Sequence, residues 1–383
     1  MIYLNTVSTT KVDDKVLEDF VYATKNYWQN PSDISEGGLE AKSIIETARV
    51  QIGTSIGANG NEIVFTSGAT ESNNWVLKGY LDKHPECKTI VTTEIEHPSV
   101  YSTCKYLETK GYKVYYSPID NFGCVDIGKL EKLILDNNIT NPLVSIMLSN
   151  NMIGSVNNIK KISEVIKKYN GTLHTDATQA FMHMNINVND LGIDMMSASF
   201  HKIGGFKNCG FLYIKDGIEL TPLMHGGKQF EHKRSGTENV PAIYAFGNHV
   251  ERLSEDLDVY LERVKEIYIY LKDSIYDKFT DEDIEFNGHN FNRIYNNLSV
   301  TINGINAEQL VALLDLRNIC ISMSSACNAG TKTPDRTLKA IGLSDEEAFS
   351  TIRISFDYNT TKDMVDTFVD ALSECVHSLK MFG

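Results

Sequence analysis

Short β-type runs and helical stretches alternate through the first two-thirds of the chain, and few folds accept that order. Leu39 to Val50 (LEAKSIIETARV) has helical periodicity, and Glu62 to Thr66 (EIVFT) reads as a short strand. Asn73 to Leu81 returns to helix, Thr89 to Thr93 (TIVTT) to strand, and Pro98 to Thr109 to helix. Leu143 to Leu148 and Thr172 to Thr175 are further strands around the helix Ile159 to Tyr169. The alternation predicts an α/β domain built on a mostly parallel sheet.

A helical stretch is then expected from about Val240 to Tyr276, with Leu253, Leu257, Leu261 and Val264 near helical spacing. It leads to a smaller α+β domain containing Asn297 to Ile302, Ala307 to Leu314, Thr351 to Phe356 and Lys362 to Lys380. No internal repeat, low-complexity tract or Pro/Gly linker separates the two, so they should pack tightly. A chain of 383 residues is long enough for two domains and a large core.

Composition removes several classes of function. A hydrophobic content of 42% and a charged content of 22% suit a soluble globular protein. No apolar run approaches the ~20 residues needed to span a bilayer. The start, Met1-Ile2-Tyr3-Leu4-Asn5, lacks the basic and apolar regions of a signal peptide. A net charge of −14 argues against nucleic acid or an anionic membrane as the main partner. The seven cysteines form no Cys-x-x-Cys pair, which suggests neither a disulfide framework nor a thiolate zinc site. A reduced, cytoplasmic protein is the simplest expectation.

Polar residues gather where strands should end, and in open parallel sheets ligands bind at those carboxyl ends. Thr66 to Asn74 (TSGATESNN) joins a strand to a helix, and its backbone N–H groups and the Thr70 hydroxyl suit a phosphate. An ordinary N-cap explains the same residues equally well. In His174-Thr175-Asp176-Ala177-Thr178-Gln179, Asp176 suits a pyridinium nitrogen and Gln179 a phenolic oxygen. A metal-binding His-x-Asp pair or a plain capping Asp fits too. Lys202, after the run Met195 to Ser199 and before Gly204-Gly205, would be partly desolvated and suited to Schiff-base chemistry. Most lysines, however, are solvated surface charges.

His225-Gly226-Gly227 followed by Arg234 to Asn239 (RSGTEN) suits an anion or merely a tight turn. In Thr351 to Phe356, Ile352, Ile354 and Phe356 alternate, so Arg353 projects from the other face. There it could clamp a carboxylate, although a surface arginine is the default. His97 suits ring stacking or proton transfer, against a purely structural role. Cys327 sits in Ile321 to Pro334 (ISMSSACNAGTKTP), without a large apolar residue from Ser324 to Gly330. Core cysteines keep apolar company, so this thiol is expected on a mobile loop.

Together and in this order, these stretches resemble the NifS/IscS-type cysteine desulfurases, class V aminotransferase relatives that use pyridoxal 5′-phosphate (PLP). The resemblance covers nearly the whole chain. It rests on Ser67 to Asn74 (SGATESNN), Glu96 to Val100 (EHPSV), Asp176 to Gln179 (DATQ) and His201-Lys202. Arg234 to Asn239, Ser325-Ala326-Cys327 and Leu338 to Ala348 (LKAIGLSDEEA) complete it.

The resemblance implies a fold-type I PLP-dependent transferase. Residues 13–252 would form a large α/β domain with a mostly parallel seven-stranded sheet. Residues 1–12 and 253–383 would form the smaller α+β domain carrying the cysteine loop. Lys202 would hold the cofactor covalently, Asp176 would pair with its ring nitrogen, His97 would stack on the ring and Gln179 would bond its phenolic oxygen. Ala69, Thr70, Ser199 and His201 would bind the phosphate, with Thr237 supplied by the partner of a homodimer. Asn151 and Arg353 would hold the substrate carboxylate. Cys327 would be the nucleophile, with His97 serving the associated proton transfers.

The implied reaction converts L-cysteine to L-alanine, with sulfur passing to Cys327 as a persulfide. An acceptor protein of the iron–sulfur scaffold or tRNA-thiolation type would then take it for iron–sulfur cluster or thio-cofactor biosynthesis. Rival readings are a selenocysteine lyase or cysteine β-lyase, and a non-catalytic PLP-binding accessory protein. A metallohydrolase at His174 and Asp176 leaves Lys202 unexplained. The chain departs from the family's usual motifs at Leu4 to Thr10 (LNTVSTT), Asn30 to Ser35 (NPSDIS), Asn150 to Gly154 (NNMIG), Gly204, Phe206 and Met323-Ser324. Most of these departures are expected near the substrate entrance.

Overall fold

The computed structural model describes residues 1–227, 229–323 and 333–382, so Cys327 and the loop around it lie outside the described residues. The strands, in chain order, begin with β1 (Ile2–Tyr3), β2 (Ile63–Thr66), β3 (Thr89–Thr92), β4 (Lys113–Tyr116) and β5 (Leu143–Ser145). β6 (Thr172–Asp176), β7 (Met195–Ser199) and β8 (Gly210–Ile214) follow. β9 (Ile284–Asn287), β10 (Asn297–Ile302), β11 (Ile319–Cys320), β12 (Ser322–Met323) and β13 (Thr351–Ser355) complete the set among the described residues.

Among the described residues, β2-β8-β7-β6-β5-β3-β4 form a seven-stranded sheet. β3, β4, β5, β6 and β7 pair in parallel, and β8 runs antiparallel to both β2 and β7. The expected mostly parallel α/β sheet is therefore present. Its strands other than the edge strand β4 are buried on both faces, and their side chains alternate between two apolar layers. Ile63, Phe65, Val91, Val144 and Phe211 enter one core, while Val64, Ile90, Leu143 and Leu212 enter the other. The first core is closed by helices including Glu36–Ser55 and Val240–Glu255, the second by Ala69–Lys83 and Pro98–Glu108.

A separate apolar cluster lies on the four-stranded antiparallel sheet β12-β13-β10-β9. Helices Ala307–Asp315 and Lys362–Phe382 contribute Leu310, Leu314, Phe368 and Leu372 to it. The amino-terminus joins this cluster: β1 pairs in parallel with β11, and Leu4 is buried within it. The chain then crosses to the large sheet, where the Thr10 N–H donates to the His201 carbonyl and the Asp13 N–H to that of Gly204.

Two sequence expectations change in detail. The stretch from Val240 to Tyr276 is two helices, Val240–Glu255 and Leu257–Tyr276, broken at Asp256. Ile243, Phe246 and Val250 pack in the large-sheet core, whereas Val264, Ile267 and Leu271 pack in the small-sheet core. One straight helix cannot serve both. Strand β5 ends at Ser145 rather than Leu148, although the Ile146 and Leu148 N–H groups still donate to the His174 and Asp176 carbonyls.

The register places Thr66, Ser199 and Gly210 side by side. A Cβ at Gly210 would collide with the Ala198 carbonyl oxygen and lie 2.7 Å from the Gly68 Cα. The absence of a side chain lets the turn after β2 approach the end of β7. Gly210→Ala is expected to destabilise the fold by about 1–3 kcal/mol, the usual scale of overpacking. A thermal melting midpoint equal to that of the wild type would contradict this close approach.

Candidate active site

Several chain segments converge at the carboxyl end of the large sheet. After β2, Gly68 takes φ +136°, a conformation side chains rarely adopt, and the helix Ala69–Lys83 starts at once. The Ala69 N–H donates to Ser199 Oγ at 2.8 Å, joining this helix start to the end of β7. Thr70 is exposed in the first turn. Glu71, one residue on, accepts from the Ser67 N–H at 2.7 Å and from Arg234 at 3.0 and 3.3 Å. Burial raises the Glu71 pKa, but these donors outweigh it and hold the carboxyl below its ordinary range. Oriented N–H groups at a helix start suit an anion.

Lys202 follows β7 and is half-buried. Its ammonium donates to the carbonyls of Val7 at 2.7 Å and Ser8 at 2.8 Å. The Gln179 amide donates to the same Val7 carbonyl at 3.2 Å, so Lys202 and Gln179 meet at one point. His201 lies 3.1 Å, from Nδ1, to the Thr9 hydroxyl. Burial, then Lys202, Lys207 and His97, depress its pKa to about 4. His201 is therefore neutral near pH 7.

Asp176 ends β6 and is buried. Its Oδ1 accepts from the Thr178 N–H at 2.9 Å and its Oδ2 from the Asn73 amide at 2.8 Å. His97 caps the helix Pro98–Glu108, its Nδ1 accepting from the Ser99 N–H at 3.1 Å. Burial lowers the His97 pKa; Asp176 opposes this, while Lys202 and Arg336 reinforce it. His174, two residues before Asp176, is fully buried between the Ser145 and Ser197 hydroxyls at 2.9 and 3.0 Å. These contacts occupy both ring nitrogens and make His174 part of the sheet interior.

Arg353 does not face solvent. It is buried on β13, with Nη1 donating to the Asn151 carbonyl at 3.1 Å. Nη2 donates to Asn5 Oδ1 at 3.2 Å and Ser8 Oγ at 2.8 Å. Asn151 and Arg353 are thus brought together, and two family departures, Asn5 and Ser8, fall directly on the guanidinium. Thr237 is exposed and lines a cavity of about 140 Å³ with Thr66, Ser67 and Arg234.

These groups fit PLP by their chemistry. There is a helix start for a phosphate, an amine for an aldehyde carbon and a buried carboxylate for a pyridinium. The family model for aminotransferase class-V matches residues 2–368. The chain belongs to that family. Its likeness within the family is to cysteine desulfurases. It is 38% identical to "Cysteine desulfurase IscS" of Methanosarcina thermophila over 382 residues, 99% of this chain and 93% of that protein. A solved "NIFS-LIKE PROTEIN" superposes with a TM-score of 0.90 at 33% identity, covering 99% of this chain and 100% of the other. "SspA in complex with cysteine" gives 0.81 at 34% identity, covering 94% and 100%. The architecture is that of fold-type I PLP-dependent transferases.

Residues without an assigned role in the sequence reading also build the site. Asn73 and Ser99 lie inside the quoted motifs, but only folding puts them between Asp176 and His97. Arg336 spans from the segment after the cysteine loop to the carbonyls of Glu94 and Glu96, each at 3.2 Å, over the Tyr101 ring. Glu96 is buried beneath the His97 turn, its Oε1 accepting from the Thr93 hydroxyl at 2.8 Å and the Met147 N–H at 3.0 Å.

Burial pushes the Glu96 carboxyl up to about 8; these two donors and Arg336 oppose the shift and Asp176 adds to it. The folded protein thus keeps a proton that the unfolded chain releases near 4.5. The stability this supplies is full below about pH 4.5 and is lost as pH rises through about 8. Glu96→Gln, which cannot ionise, should remove that decline. The check is the melting midpoint of both proteins against pH, and parallel curves from pH 5 to about 9 would refute the assignment.

Proposed function

We propose that this chain binds PLP and converts L-cysteine to L-alanine, passing the sulfur to Cys327 as a persulfide. The carrying observation is the convergence of Lys202 and Gln179 on the Val7 carbonyl, beside Asp176 and the Gly68 helix start, in a chain whose relatives are cysteine desulfurases. When bound, the cofactor supplies an electron sink for bonds around the substrate's Cα and Cβ. Ala69, Thr70, Ser199 and His201 bind its phosphate, Lys202 its aldehyde carbon and Gln179 its phenolic oxygen. Asp176 holds the ring-nitrogen proton, kept in place by Asn73 and Thr178. His97 packs on the ring.

Arg353, assisted by Asn151, takes the substrate carboxylate. The neutral oxygens of Asn5 and Ser8 hold the guanidinium in place without cancelling its charge. The Cys327 thiolate attacks the substrate sulfur. As the S–S bond forms, the substrate Cβ–S bond breaks and its electron pair stays on Cβ. A proton taken up there completes L-alanine, while the sulfur leaves as the Cys327 persulfide. A sulfur-acceptor protein of the iron–sulfur scaffold or tRNA-thiolation type receives it, in the cytoplasm. No helix among the described residues is long and apolar enough to cross a membrane.

Residues 13–252 act as the PLP-binding domain, and residues 1–12 with 253–383 as the small domain; the separate apolar clusters support this division. The working unit is a homodimer. Leu17, Val21, Trp28 (71% exposed), Ile34 (95% exposed) and Leu39 are exposed apolar side chains on and between the first two helices. A second copy would cover them and bring its Thr237 to the phosphate.

Anaerobic incubation with L-cysteine should yield alanine together with persulfide on Cys327. Cys327→Ser should keep the PLP absorption spectrum yet lose alanine formation by roughly two orders of magnitude. Cys320→Ser, on the short strand β11, should remain active. Near wild-type turnover by Cys327→Ser would favour the β-lyase reading, and absence of any cysteine-dependent product would favour the accessory protein. In sedimentation the protein should run as a dimer. Mixing Thr237→Ala with Lys202→Ala should restore some PLP sites in heterodimers, and a fully active monomer would refute the composite site.

A further inference from the structure

One line of hydrogen bonds joins Asp176 to His97. The Asn73 amide nitrogen donates to Asp176 Oδ2 and to Ser99 Oγ, each at 2.8 Å. Ser99 Oγ lies 2.8 Å from His97 Nδ1, which also receives the Ser99 backbone N–H at 3.1 Å. Asn73 is fully buried, and Ser99 is 8% exposed.

The direction of every bond follows from chemistry. A backbone N–H only donates, so His97 Nδ1 presents its lone pair. An ionised carboxylate only accepts, so Asn73 must turn its nitrogen toward Asp176 and hence toward Ser99. In this orientation Asn73 Oδ1 is buried without a partner. The Ser99 hydroxyl accepts from Asn73, and its own proton points to Nδ1. Two donors then converge on Nδ1, leaving it no room for a proton. The proton of the neutral ring sits on Nε2.

We propose that Asn73 and the Ser99 hydroxyl are positioning residues that hold His97 as the neutral Nε2–H tautomer, so that it meets the reacting group as a hydrogen-bond donor rather than a base. The inference rests on the proposed function for what His97 faces, and on geometry alone for its tautomer. The charged and titratable groups around His97 are Asp176, Lys202, Arg336 and His201. Asp176 favours protonation of the ring, and Lys202 and Arg336 oppose it. Ser99 adds a selective brake, because its hydroxyl bond must be reversed before Nδ1 can take a proton. Deleting the hydroxyl leaves the backbone cap intact.

The test is two-bond proton–nitrogen correlation NMR on the PLP-loaded, full-length protein with 15N-labelled histidine. The His97 signals are identified by their loss in His97→Gln. The wild type should show the Nε2–H pattern between about pH 6 and 8. Ser99→Ala should move the His97 titration midpoint up by about one unit, tenfold in proton affinity. The acid limb of its kcat profile should move by the same amount, and Ser99→Thr should return both. Asn73→Ala should shift the midpoint in the same direction; should it not fold, the Ser99 pair decides the matter alone. A wild-type proton on Nδ1, or an unmoved midpoint in Ser99→Ala, overturns the proposal. The expected tautomer in a protein that makes no alanine would uphold the relay and sink the desulfurase reading.

Discussion

Strand β8 runs against its neighbours on both sides, and its first residue, Gly210, has no side chain to hold them apart. Because of that, the turn after β2 and the end of β7 close to a single hydrogen bond, from the Ala69 N–H to Ser199 Oγ. The start of the helix Ala69–Lys83 thereby faces the segment that carries His201 and Lys202. The same helix carries Asn73 across to Asp176 on β6 and Ser99 beyond β3. A wider gap at Gly210 would separate the start of the helix Ala69–Lys83 from Lys202. It would also tilt the helix that orients the carboxylate.

A second dependence runs through residues 2–13. This segment starts as a strand beside β11, buries Leu4 in the small-sheet core, and bridges to Ser355 at Asn5. It then lays the Val7 and Ser8 carbonyls on Lys202 and the Thr9 hydroxyl on His201. Ser8 also grips Arg353. Lys202 and Arg353 are 151 residues apart in sequence, yet one short extended segment touches both. Several departures from the family's usual residues fall here, so the chain's own character is concentrated where Lys202, His201 and Arg353 are held.

Burial governs the electrostatics of the site. His97, His174 and His201 all lose proton affinity chiefly by desolvation, and Glu96 gains it for the same reason. The interior thus disfavours the charged forms of these groups, while Asp176, Lys202 and Arg353 are held by directed hydrogen bonds. A dry site of this kind strengthens each remaining charge contact.

By itself the sequence determined the strand–helix alternation, hence the mostly parallel sheet, because side-chain periodicity is local and states which face of each element is apolar. It also offered Lys202, Asp176, Gln179 and the Gly68 turn as candidates, because polar residues stand there at strand ends, while their roles came from the family resemblance. Only the tertiary structure decided that Val240 to Tyr276 breaks at Asp256, because the break answers two cores that no single segment sees. The burial of Arg353 was likewise hidden: β13 alternates like a surface strand, and its polar face is covered by Asn5 and Ser8 from the far end of the chain. Asn73 and Ser99 read as ordinary helix residues until the strand order β7-β6-β5-β3 sets their helices beside Asp176 and His97. Distances across a sheet depend on which strands become neighbours, and a local pattern of apolar and polar residues does not contain that choice.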